Sequence, residues 1–211
     1  MKKPQKIAFF NIYKIWGGGE KWHFEMAKNL QEKGHQVYIF GPRDGELAKR
    51  SNSEGIEVID IQWSKYSYFN ILKILKLIMT ILKLRLNVVL FNSFLDVREA
   101  SLWFWIAGVK KRIFRSGMPI APKKNTIFKL AFKLGLTHIN YISKDIETVL
   151  EDSFSSSLKN LNKSFFTNGI DVDTFTDTNK KETDYPIIVG NCVRLAKQKR
   201  LDLFLEVAKR F

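Results

Sequence analysis

At 211 residues, with 45% hydrophobic and 13% aromatic side chains, the chain can bury a substantial core and is not a disordered segment. Its single cysteine, Cys192, excludes an intramolecular disulfide and any multi-cysteine metal site, which fits a reducing, cytoplasmic setting. The formal net charge of +14 is segregated, because residues 61–144 carry fifteen Lys or Arg against only Asp96 and Glu99.

In chain order, Lys6–Phe10 is a short apolar run that predicts a buried strand. The basic segment before it and the polar Asn11 and Lys14 after it are wrong for a signal peptide. Gly17-Gly18-Gly19-Glu20 ends the connecting loop, and Lys21 to Lys33 predicts a helix. A glycine-rich turn at the mouth of a helix leaves backbone N–H groups aimed outward at a phosphate or another anion. The spacing matches neither the dinucleotide fingerprint nor the phosphate loop that ends in Gly-Lys-Ser/Thr. Close packing of strand against helix is therefore the alternative reason for the glycines.

A second strand follows at Gln36–Phe40 and a third at Ile56–Ile61. Phe69–Leu84 predicts a helix and Asn87–Asn92 a strand. Asp96 to Ala107 reads as a helix with Asp96 as its N-cap. Lys111–Arg115 is a strand, Lys124–Gly135 a helix, and His138–Ile142 a strand. Ser143 caps a helix running to about Asp152, and Ser164–Thr167 is the last short strand. Trp103 and Trp105 read as core or helix-contact residues. Alternation of strands and helices predicts an α/β fold, a Rossmann-like parallel sheet with helices on both faces.

Residues 168–185 are polar, hold Gly169 and five acidic residues, and end at Pro186, which is a linker composition. Ile187–Val193 then predicts a new strand, and Leu201–Phe211 a helix. The expected organisation is a domain over 1–167, a linker over 168–185 and the incomplete start of a second Rossmann-like domain over 186–211.

Four segments in this order resemble the amino-terminal part of a retaining glycosyltransferase of family 4, with the two-Rossmann-domain GT-B architecture. They are Gly17-Gly18-Gly19-Glu20 with Gly34-His35-Gln36-Val37, and Ile142-Ser143-Lys144. The others are Asn168-Gly169-Ile170-Asp171 through Phe175, and Val189 to Leu195 with Lys197-Gln198-Lys199. The resemblance implies an acceptor cleft at Gly17, Gly18, Gly19 and Glu20. It also implies a donor diphosphate held by Arg194 and Lys199, whose cations would stabilise the leaving group as it gains charge.

The chain departs from the family in three ways. Arg200 stands where the family has a glycine. Arg115-Ser116-Gly117 stands where many relatives place a histidine. The family's paired glutamates match no segment up to residue 211. Arg115 is suited to a bidentate grip on an acceptor phosphate or carboxylate, a solvated basic turn being the alternative. No side chain is assigned as catalytic. The resemblance implies a nucleotide-sugar donor, a cell-surface polysaccharide or lipopolysaccharide acceptor, and transfer without a metal. It further implies that this chain needs the rest of a donor domain, from a longer parent or a partner subunit, to be active.

Helix 69–84 has a polar stripe of Lys73, Lys76, Thr80 and Lys83 among apolar residues. The simplest expectation is a sheet-covering helix with a lysine-rich outer edge. A second reading docks residues 66–85 on an anionic membrane surface at the inner face of the cytoplasmic membrane. Two further functions compete with transfer: a basic nucleic-acid-binding module and a non-catalytic accessory subunit. No zinc, RNA-recognition or helix-turn-helix signature accompanies the charge, so nucleic acid is not the expected partner.

Overall fold

In a parallel sheet both faces are covered, so strands read as continuous apolar runs whose alternate side chains feed two separate cores. The computed structural model describes residues 3–169, 172, 188–193, 195 and 197–210 and shows this division. The chain separates into two compact units, Met1–Gly169 and Ile170–Phe211.

The first unit is a seven-stranded sheet in the order β3-β2-β1-β4-β5-β6-β7, parallel throughout. Its strands are β1 (Lys6–Phe10), β2 (Gln36–Gly41), β3 (Glu57–Asp60), β4 (Val88–Phe91), β5 (Lys111–Ser116), β6 (His138–Tyr141) and β7 (Asn162–Phe165). The helices are α1 (Gly18–Glu32), α2 (Glu46–Ser53), α3 (Ile71–Leu84), α4 (Phe94–Ile106), α5 (Thr126–Leu130) and α6 (Lys144–Leu158). Ile7, Phe9, Val37 and Ile39 pack with Ala27 of α1 and Leu47 of α2. Ala8, Phe10, Tyr38 and Phe40 point the other way, into the larger core built with α3 to α6. The division follows from right-handed crossovers. Connections that run leftward from β1 put α1 and α2 on one face, and connections that return rightward from β3 put the later helices on the other.

The strands fall where the apolar runs predict them, to within a residue or two at each end. Several details differ. Helix α1 begins at Gly18 rather than Lys21, and α6 extends to Leu158 rather than to about Asp152. Helix α2 is not predicted; it is short and polar, and only Leu47, Ala48 and Ser51 of its residues are buried. Helix α4 starts earlier, at Phe94, because the Ser93 hydroxyl oxygen accepts from Asp96 N at 3.0 Å. Ser93 is therefore the N-cap and Asp96 sits inside the first turn. The predicted helix Lys124–Gly135 is α-helical only over α5 and continues as a π-helical turn, Ala131–Gly135. Trp105 is exposed rather than a packing residue.

In the second unit, α7 (Leu201–Ala208) follows a 3-10 turn at Lys197–Lys199. Residues 188–193 form no strand, against the expectation for Ile187–Val193. A strand needs a hydrogen-bonded neighbour, and no other strand is found among the described residues of this unit. Arg200 adopts φ 47°, ψ 45°. It thus takes the left-handed backbone that a glycine would adopt without strain.

Gly135 meets α4 so closely that an added Cβ would lie 2.2 Å from Ser101 Oγ, 2.7 Å from its Cβ and 3.1 Å from its backbone carbon. Rotation of the hydroxyl cannot relieve the last two contacts. Gly135→Ala is therefore expected to lower unfolding stability by about 1–3 kcal/mol, measured by urea denaturation.

Candidate functional site

In open α/β sheets a ligand crevice opens at the carboxyl ends of the strands, where neighbouring connections leave in opposite directions. Here that switch lies between β1 and β4. The first polar residues after the strands converge there: Asn11 after β1 and Asn92 after β4, with Arg115 near the end of β5.

Helix α1 opens at the same edge. Its N-cap, Gly17, is extended and offers no side-chain cap, so the first-turn N–H groups remain free of a capping side chain. Gly18 faces open space, with nothing within 4 Å of an added Cβ. Gly19 is tight, since its Cβ would stand 2.2 Å from Asn92 Nδ2. The glycine run therefore packs closely at Gly19, against Asn92, and leaves open space at Gly18. Glu20 Oε1 accepts from Asn11 Nδ2 at 3.0 Å and ties the helix to the end of β1.

Arg115 is only 6% exposed, which overturns the reading of a solvated basic turn. Its Nη1 donates to Asn92 Oδ1 at 2.8 Å and its Nη2 to Asn168 Oδ1 at 2.7 Å. The guanidinium carbon lies 4.7 Å from the Trp22 ring centroid. Among the described residues no carboxylate pairs with it, so neutral amides and an aromatic face hold a desolvated cation. Burial lowers its pKa from the usual arginine value. By contrast, neighbouring Arg112 is buried for a structural reason. It donates to the carbonyl oxygens of Gly135 at 2.8 Å and Leu134 at 3.3 Å, and also to that of Val109.

Two buried titratable groups frame the cleft; the sequence pattern does not mark His23 and marks Asp96 only as a helix cap. His23 of α1 is fully buried against Phe9 and Trp22, and neither ring nitrogen finds a partner. Burial first, and then the Arg115 charge, depress its pKa to about 3. Asp96 is fully buried at the start of α4, accepting from Ile12 N at 3.1 Å and from Ser93 Oγ at 2.7 Å. It pins the loop that leaves β1. Burial raises its pKa to about 7 against the hydrogen bonds that favour its charged form.

Of the residues singled out from sequence, the structure brings Gly17, Gly18, Gly19 and Glu20 to the sheet edge that Arg115 also occupies. Arg194 lies outside the described residues, as do Ile170, Asp171 and Asp173–Phe175 of the interdomain motif. Lys199 closes the 3-10 turn before Arg200 in the second unit. Asn11, Asn92, Asn168 and Trp22 are the contacts that sequence reasoning missed. The available signal was their position, since Asn11 and Asn92 directly follow buried strands.

A protein-family model described as glycosyl transferase 4-like matches residues 15–145. No curated protein matches the chain in sequence. The fold is similar to that of several solved proteins. Anabaena HepE in complex with UDP shares 13% identity at a TM-score of 0.61, over 81% of this chain and 46% of that one. HepE has also been solved with UDP and glucose and with UDP-glucose. A glycosyltransferase from Rickettsia africae shares 21% identity at a TM-score of 0.67, over 86% of this chain and 47% of that one. The lipopolysaccharide outer core galactosyltransferase WaaB shares 16% identity at a TM-score of 0.55, over 86% of this chain and 50% of that one. The chain thus spans about half the length of these relatives.

The two buried groups give opposite pH dependences. Asp96, raised from 3.8 to about 7, keeps its proton longer in the folded state, so its contribution to stability is lost as pH rises through that interval. His23, depressed from 6.5 to about 3, contributes stability above 6.5 that is lost as pH falls toward 3. Asp96→Asn is expected to remove the loss seen as pH rises toward 7, and His23→Leu the loss seen as pH falls toward 3. Thermal midpoints between pH 4 and pH 8 should separate the variants by at least about 3 °C.

Proposed function

The chain belongs to the glycosyl transferase 4-like family, and we propose that its first unit is the acceptor-binding half of a nucleotide-sugar-dependent glycosyltransferase. The observation that carries this reading is the Arg115 cation, buried with no carboxylate partner among the described residues, at the same sheet edge as the start of α1, whose Gly17 cap offers no side chain. A phosphate or carboxylate entering the cleft would meet a preoriented guanidinium and a helix N-terminus, exchanging with the amide oxygens of Asn92 and Asn168 that hold the guanidinium in its absence.

In the reading we advance, residues 1–167 hold the acceptor, 168–185 link the domains and 186–211 begin the nucleotide-sugar domain. Arg194 and Lys199 there face the donor diphosphate and support departure of the nucleoside diphosphate. As that leaving group gains charge, fixed cations favour the transition state over the ground state, and retaining transfer proceeds without a metal. The HepE complexes with UDP and UDP-glucose support a uridine-type donor. The similarity to WaaB supports a lipopolysaccharide or other cell-surface polysaccharide acceptor. The charge of residues 61–144 suits phosphorylated or lipid-linked saccharide carriers.

The test is turnover of a panel of nucleotide sugars by the transferase isolated from its native context, followed as release of nucleoside diphosphate in the presence of cell-envelope acceptor. Arg115→Met is expected to lower kcat/KM by at least about tenfold. Arg115→Lys should recover only part of it, because a point charge replaces a planar fork. Circular dichroism guards against misfolding. Activity unchanged in both folded variants would remove Arg115 from the site, and turnover of no nucleotide sugar would remove the assignment.

A further inference from the structure

A helix that only covers a sheet buries its apolar residues and shows its polar ones. Helix α3 does not. Of its nine apolar residues at Ile71–Leu82, only Ile74, Leu77 and Ile81 are buried. Leu72, Leu75, Met79 and Leu82, spaced three, four and three apart, stand 48–75% exposed and form one outward ridge. Phe69, 74% exposed, extends it at the amino-terminal end. The lysine stripe is present, yet it fills only one flank of the outward face: Lys76 and Lys83 are exposed, and Lys73 donates to the Gln62 carbonyl oxygen. The expectation of a lysine-rich outer edge is corrected to an apolar ridge with a cationic flank.

The ridge is held in place from behind. Glu99 of α4 is fully buried, and its carboxylate accepts from Tyr66 N at 3.0 Å and Tyr68 N at 3.1 Å. Arg98 pairs with the same carboxylate and lies over the rings of Tyr66 and Tyr68 at 5.5 and 5.4 Å. Tyr66, itself exposed, takes a left-handed backbone at φ 76° within this turn. Asn70 caps α3 by accepting from Lys73 N at 3.1 Å. The turn that carries Tyr66 and Phe69 is thus built and polar-satisfied, with its aromatic surface turned outward.

We infer that Phe69, Leu72, Leu75, Met79 and Leu82 enter the interface of an anionic lipid bilayer, with Lys76 and Lys83 meeting its head groups. Charge selects this occupant. A second copy of the chain would set the ridge against itself across a twofold axis and bring the lysine flanks and the +13 excess of residues 61–144 together. An anionic surface takes both features at once, apolar side chains at the acyl boundary and ammonium groups at phosphate level. The parallel topology then fixes the consequence for the cleft. Helix α3 follows the carboxyl end of β3, so its Phe69 end lies at the same sheet edge as Gly18 and Arg115, and a lipid-borne acceptor would reach them from the membrane.

The experiment is flotation of the 211-residue chain with vesicles of phosphatidylcholine alone and with about 30% phosphatidylglycerol. Binding to the anionic vesicles is expected to be at least tenfold tighter and to weaken with salt, by about that factor or more. Leu72→Glu with Met79→Glu, and separately Lys76→Glu with Lys83→Glu, should each weaken it by at least about tenfold. Thermal midpoints should stay close to that of the unsubstituted chain, because all four side chains are exposed. The inference is overturned by equal affinity for the two vesicle types, by ridge variants that float unchanged, or by tighter capture on duplex DNA than on anionic vesicles. A homodimer that the ridge variants dissociate would also overturn it and name a second copy as the occupant. Vesicle binding is read without any sugar transfer, so its failure leaves the transferase reading intact, and an inactive chain that still floats separates the two.

Discussion

A guanidinium removed from water and given no carboxylate among the described residues is the constraint around which the cleft is arranged. The cost of burying Arg115 is offset by two amide oxygens and the face of Trp22. Each partner comes from a different part of the chain: Asn92 from the end of β4, Trp22 from α1 and Asn168 from beyond β7. Gly19 has to be glycine-sized for Asn92 to reach its position. The cation therefore holds the two sides of the switch point together while its charge remains uncompensated among the described residues. Neutral partners orient it without neutralising its charge.

Two buried carboxylates on α4, three residues apart, extend this order outward. Asp96 holds the loop after β1 through Ile12, and Glu99 holds the turn before α3 through Tyr66 and Tyr68. One helix end thus sets both the floor of the cleft and the entry to the exposed ridge. Carboxylates suit this role because each can accept several backbone N–H groups that would otherwise be buried unpaired. They were the only acidic residues in a stretch of fifteen bases. Their scarcity in the sequence was a pointer to position that charge counting alone does not convert into a contact.

The sheet was legible because each strand is a short apolar run and each face draws on alternate residues of it. Lys6–Phe10 and Lys111–Arg115 fall in place for that reason. Helix α2 was not legible, since it is short and has only Leu47 and Ala48 as apolar residues. Ser93 and Asp96 compete for the same cap, and the geometry of a hydroxyl one turn ahead decides it. In the cleft, the glycine run and Arg115 could be read from residue type and motif. Trp22, Asn92 and Asn168 could not, because their role depends on a cation more than twenty residues away in sequence in every case. Arg200 runs the other way: it stands where the family has a glycine, yet takes the left-handed backbone that a glycine adopts without strain.

The outward residues of α3 touch little of the protein that carries them. Ile74, Leu77 and Ile81 fasten the helix to the sheet, Asn70 caps its start, and Arg85 ends it in a left-handed turn. Folding therefore places almost no demand on Leu72, Met79 or Lys83. Substitution at these sites can therefore change the chemistry of the exposed ridge one residue at a time, while the crevice at the carboxyl edge of the sheet keeps its shape.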